Sequence, residues 1–126
     1  MQNKGILIDS DVIIWFLRGK PEIVEKLSIL FDSSHLFVSV ITITEIFAGA
    51  KKSELKIIDG LFTSLGIIEI NTKIAKLAGL FINEYRKNSM VETADALIAS
   101  SAKINNLMFW TFNKKHYPMF NKEELL

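Results

Sequence analysis

Residues 5–15 read GILIDSDVIIW, an apolar run that meets two aspartates, Asp9 and Asp11, and then turns apolar again. The run before Asp9 lacks polar alternation, as expected of a short strand buried on both faces. The residues after it are compatible with a helix that Gly19 is placed to end. This opening unit of strand, acid-bearing turn and helix predicts an α/β chain if the same alternation continues.

The alternation does continue. Pro21 suits the first turn of a second helix, where Ile23, Val24, Leu27, Leu30 and Phe31 make one apolar stripe. LFVSV (36–40) reads as a second buried strand, and TITEIFAGA (42–50) starts a helix that Gly49 ends. Leu55, Ile58, Leu61, Phe62 and Leu65 stripe the next helix, closed by Gly66 before the third strand, IIEI (67–70). A long helix runs from Thr72 to Lys87, followed by the polar break RKNS, a helix over ETADALIASSAKIN and a fourth strand, LMFWTF (107–112). Strands alternating with helices predict a three-layer α/β sandwich around a central parallel sheet of four to five strands, with residues 1–126 as a single domain.

Composition narrows the function. With 49% hydrophobic residues, nine Phe and a mean hydropathy of +0.27, the chain fills a core and is not disordered. Fifteen basic residues against fourteen acidic ones leave no global field of the sort that coats nucleic acid, so polyanion binding must be local. The lack of cysteine removes disulfides, thiolate metal sites and thiol nucleophiles and fits a reducing compartment. No leader-like start or apolar run of about 18 residues is evident. The expectation is a cytoplasmic protein without a membrane partner.

In an open parallel sheet, ligands bind beyond the carboxyl ends of the strands. Asp9 and Asp11 follow strand one, Glu45 lies after strand two, Asp95 precedes strand four in its helix, and Asn113 follows strand four. Each acid also has a plainer explanation. Thr42 and Glu45 have the spacing of a capping box, Ser10 and Asp11 resemble a cap and a first-turn residue, and Asp95 sits two residues after a Thr93 cap. Asp9 is hardest to explain this way, since it ends an apolar strand and a buried unpaired carboxylate is costly. The joint reading is one cleft in which a divalent cation relieves the repulsion among the carboxylates. Capping and metal binding are compatible, so both stand.

The stretches ILIDSDVIIWFLRG, VSVITITEIFAGA, ADALIAS and WTFNKKHY, in this order and spread over nearly the whole chain, resemble the PIN-domain nucleases, in particular the VapC-type toxins of toxin-antitoxin pairs. The resemblance implies a metal-dependent endoribonuclease that uses Mg2+ or Mn2+ on single-stranded or looped RNA and leaves a 5′-phosphate and a 3′-hydroxyl. It also implies a homodimer inhibited by a small cognate antitoxin. By position, Asp9, Glu45 and Asp95 match the family's three central acids. Asn113 stands where the family has Asp or Asn, and His116 stands where a second acid often follows. Metal ligands are thus expected to be Asp9, Asp95, Asp11 and Glu45, with Asp9, Glu45, Asp95 and Asn113 in catalysis and Ser10, Thr111 and His116 in support.

Two rivals belong to other classes. ILIDSDVI also fits the opening of haloacid-dehalogenase-like phosphatases, with Asp9 as nucleophile and Asp11 as acid/base. The downstream lysine and paired acidic motif of that class have no good counterpart here. The other rival is a non-catalytic PIN-like module that binds RNA or protein without cutting.

Overall fold

The computed structural model describes residues 4–87 and 90–126. Its elements run β1 (Ile6–Ile8), α1 (Ser10–Leu17), α2 (Pro21–Ser33), β2 (Leu36–Ser39), α3 (Val40–Ala48), α4 (Leu55–Thr63), β3 (Gly66–Ile68), α5 (Thr72–Tyr85), α6 (Thr93–Ile104) and β4 (Met108–Trp110). The strands form one parallel sheet in the order β3-β2-β1-β4. Part of the RKNS break, at 88–89, lies outside the described residues.

Strand periodicity builds the three expected layers. Ile6 and Ile8 of β1, Leu36 and Val38 of β2 and Trp110 of β4 face one side and pack with Val12, Ile13, Ile23, Leu27, Ile46, Ile58 and Phe62 from α1 to α4. The alternate residues Leu7, Phe37 and Phe109 face the other side, against Ile98, Ala99 and Ala102 of α6. Small residues on α6 allow close approach. Ser100, fully buried there, donates to the Ile74 carbonyl of α5 at 2.9 Å. Gly66 is needed for a similar reason, because a Cβ there would stand 2.4 Å from the Phe37 ring.

Several boundaries differ from the sequence reading. Helix α3 starts at Val40, two residues early, with Ser39 as its cap accepting from the Ile41 N–H at 3.0 Å. Thr42 and Glu45 are therefore interior helix residues and not a capping box. Asp9, not Ser10, caps α1, and Glu92, not Thr93, occupies the cap position of α6. β3 ends at Ile68, and α5 ends at Tyr85. The sheet gains an unforeseen parallel bridge between Phe109 and Leu125, reinforced by the Leu126 N–H donating to the Phe109 carbonyl at 2.8 Å.

The strand order fixes where a ligand would sit. From β1 the chain moves outward through β2 and β3, and then returns to β4 on the other side of β1. The switch point thus lies between β1 and β4, at the crevice flanked by Asp9 and Thr111. Among the described residues no helix is long and apolar enough to cross a membrane.

Candidate active site

Asp9 leaves β1 at this switch point and is only 5% exposed. Its carboxylate is held by three donors: the Ser10 N–H at 2.8 Å, the Thr111 hydroxyl at 2.8 Å and the Tyr117 hydroxyl at 3.1 Å. Burial and the neighbouring Asp11 nevertheless push its pKa up to about 7, outweighing those donors. Asp11, in the first turn of α1, accepts the Phe112 N–H on Oδ2 at 2.9 Å. Burial raises its pKa as well. Its other oxygen, Oδ1, is buried and has no hydrogen-bond partner.

Asp95 arrives from α6 on the opposite face of the sheet. Its Oδ2 accepts the Glu92 N–H at 3.0 Å and lies 3.2 Å from His116 Nδ1, while its Oδ1 lies 3.4 Å from the Tyr117 hydroxyl. Asp95 thus accepts a bond in the first turn of α6 and also faces Tyr117 and His116. Glu45 joins the cleft through Ser10, whose hydroxyl donates to Glu45 Oε1 at 2.5 Å. That donation uses the Ser10 proton, leaving the Thr42 hydroxyl, 3.0 Å away and fully buried, to donate to Ser10 Oγ. Beyond Glu45 a groove of ≈ 350 Å³ opens between α1 and α3, bordered also by Ile14, Arg18 and Lys51.

Asp9, Asp11, Glu45 and Asp95 are thus brought to one crevice, with Ser10, Thr111 and His116 bonded to them. Asn113 is the exception: its N–H donates to Thr111 Oγ1 at 3.0 Å, and its exposed side chain bonds none of the acids. Tyr117 and Thr42 were missed by sequence reasoning. A tyrosine in an aromatic tail reads as core, and nothing in the sequence signals that its hydroxyl reaches two carboxylates.

The acids lack a lysine or arginine counter-charge among the described residues, and the one basic ring beside them is His116 at Asp95. Among the described residues, no Lys or Arg lies within ion-pair distance of any of the four. Nor do any three His, Asp or Glu side chains form a ready-made metal cage. The donor set is hard oxygen with one carboxylate oxygen left unbonded, which fits a divalent ion of the Mg2+ type that keeps several waters and takes few protein ligands. Asp11 adjoins Asp9, and Asp9 and Asp95 meet through the Tyr117 hydroxyl.

Sheet order and site together define a doubly wound α/β protein with a carboxylate cleft at its switch point. The chain belongs to the PIN-domain family, whose pattern matches residues 6–119. It is 31% identical over 118 residues to Ribonuclease VapC10 of Mycobacterium tuberculosis, covering 93% of this chain and 89% of that protein. Its fold is similar to a toxin-antitoxin complex from Klebsiella pneumoniae, with a TM-score of 0.81, 24% identity and coverage of 97% of this chain and 96% of that one. It is also similar to DNA-bound VapBC from Salmonella typhimurium, with a TM-score of 0.79, 25% identity and 91% coverage of each chain.

Proposed function

We propose that this chain is a VapC-type endoribonuclease that hydrolyses phosphodiester bonds of single-stranded or looped RNA with Mg2+ or Mn2+, as the toxin of a toxin-antitoxin pair. The observation that carries this reading is the crevice of four carboxylates with no Lys or Arg partner and with Asp11 Oδ1 buried and unbonded. Such a cluster is unfavourable alone and becomes favourable around a cation. The family and the named ribonuclease relative supply the reaction class.

When bound, a divalent ion supplies Lewis-acid stabilisation of charge developing on the phosphodiester oxygens. The chain supplies the rest. Asp9, fixed by three donors, and Asp95, fixed by the α6 N-terminus and His116, would hold the ion. Glu45, aimed by Ser10, orients the attacking water and accepts its proton at a carboxylate oxygen. Attack in line with the leaving 3′-oxygen yields a 5′-phosphate and a 3′-hydroxyl.

The same reading assigns partners. A homodimer bound by a small antitoxin is the assembly it expects, and the similarity to the toxin-antitoxin complexes supports the antitoxin. An antitoxin that presents a Lys or Arg to the crevice would satisfy the acids as a metal does.

Cleavage of a single-stranded RNA in Mg2+, Mn2+ or EDTA, for the wild type and Asp95→Asn, tests the reading. Cleavage by the wild type alone, and only with metal, supports it. A wild type that binds RNA without cutting in any metal would overturn it in favour of the non-catalytic module, for which the exposed, uncharged Asn113 side chain speaks.

A further inference from the structure

Tyr117 follows the turn Lys114–His116 and is 2% exposed. Its ring meets Phe109 edge-on, with centroids 4.6 Å apart, and lies 6.2 Å from Phe120. Packing thus sets the position of its hydroxyl. That hydroxyl points away from the aromatic cluster and into the acids, 3.1 Å from Asp9 Oδ1 and 3.4 Å from Asp95 Oδ1. The phenol carries a single proton. One proton therefore serves two acceptors.

Asp9 stands at the end of β1, in the sheet itself, and Asp95 comes from α6 on one of its faces. Among the described residues, no other side chain bonds both of them. Thr111 holds Asp9 alone, and His116 holds Asp95 alone. The remaining partners of Asp95, the Glu92 N–H and His116, both act on Oδ2 and leave Oδ1 to Tyr117. Without the phenol, nothing opposes repulsion between the two carboxylates, and Asp95 is free to turn toward its Oδ2 partners. A phenylalanine would fill the same space, so packing does not explain the hydroxyl.

We propose that Tyr117 is a positioning residue, whose hydroxyl ties Asp9 to Asp95 and so orients both carboxylates before a divalent cation arrives. The inference rests on the cation site proposed above. The brace lowers the cost of assembling the ligands, because the carboxylates have no rotation left to lose on binding. It makes no contact with the reacting phosphodiester, so its effect belongs to metal affinity rather than to turnover.

The experiment is Mn2+ binding to the full chain without RNA, by isothermal titration calorimetry, for wild type and Tyr117→Phe. Phe keeps the contacts with Phe109 and Phe120, so a role in packing alone would leave the Kd unchanged. The expected result is a Kd weaker by about tenfold, the scale of one hydrogen bond to a charged group. Equal or tighter binding by Tyr117→Phe would overturn the brace, as would an unchanged Kd with lost turnover. A wild type that binds no Mn2+ would sink the cation site along with the brace. If the wild type binds and the variant matches it, only the brace fails. A second readout needs no variant: the chain has two tyrosines, so 3-fluorotyrosine labelling gives two fluorine signals. The Tyr117 signal should move on Mg2+ titration and the Tyr85 signal should not; a motionless Tyr117 signal in metal-binding protein would count against the brace.

Discussion

The Thr111 hydroxyl donates to Asp9 Oδ2 at 2.8 Å, joining the ends of β4 and β1 across 102 positions of sequence. Thr111 is itself buried and accepts the Asn113 N–H, so it orders the loop after β4 while it holds the acid. Thr111→Val keeps the shape and removes the donor. In EDTA at pH 8 this variant is expected to lose about 2 kcal/mol, the scale of a hydrogen bond to a charged group. At pH 5, where Asp9 is protonated, the loss should shrink. Urea midpoints at the two pH values check this, and equal losses at both would show that the bond does not depend on the Asp9 charge.

Asp9 also gives metal-free stability a pH dependence opposite to that of an ordinary paired carboxylate. Its pKa rises from 3.8 unfolded to about 7 folded, so the folded state binds the extra proton between those values. Stability therefore falls as pH rises through that window, by on the order of 4 kcal/mol for this group. Asp9→Asn removes the term. Its carbonyl can accept the Ser10 N–H and the Tyr117 hydroxyl while its amide donates to Thr111 Oγ1. Thermal melts in EDTA from pH 4 to pH 8 should show the wild type declining relative to Asp9→Asn. A wild type that gained stability with pH relative to the variant would mean that Asp9 is a satisfied, ionised pair.

Ser10 is the link between Asp9 and Glu45, giving its N–H to one and its hydroxyl to the other. Ser10→Ala retains the N–H and releases Glu45, which then faces solvent without a fixed direction. Cleavage is expected to fall by roughly ten- to a hundredfold, the range for losing a group that orients a ligand, with a stability loss of about 1 kcal/mol because the buried Thr42 hydroxyl loses its acceptor. Rescue by Ser10→Thr would assign the effect to the hydroxyl, and normal cleavage by Ser10→Ala would remove Glu45 from the mechanism.

How much of this was readable in advance depended on whether a feature was local. The GILID run, the Gly19 stop and the stripe of α2 report on adjacent residues, and the elements they predict are present. The β-branched stretch Val40–Thr44 has weak helix preference, so local signals put the start of α3 two residues late and give Thr42 the look of a cap. Strand order and the reach of Tyr117 to Asp9, 108 positions away, are set by pairing and packing between distant segments. No local signal encodes either. The position of Asp9 and Asp11 was legible because they stand at and just beyond the end of β1, where a parallel sheet opens its crevice.

Asp95 carries two roles that substitution can separate. As a first-turn acid it accepts the Glu92 N–H, and as a site acid it faces Tyr117 and His116. Asp95→Asn keeps a carbonyl for the Glu92 N–H and removes the charge, whereas Asp95→Ala removes both. The difference in metal-free stability between the two variants should be about 1 kcal/mol, the usual worth of a capping contact. Both should lose metal-induced stabilisation, since ligand binding to the native state adds stability only where the site survives. Melting each variant with and without Mg2+ checks the pair of outcomes. If Asp95→Asn kept the full Mg2+ response, the capping role would be the whole of what Asp95 does, and the cation would have to be held by Asp9 and Asp11 on the other side of the crevice.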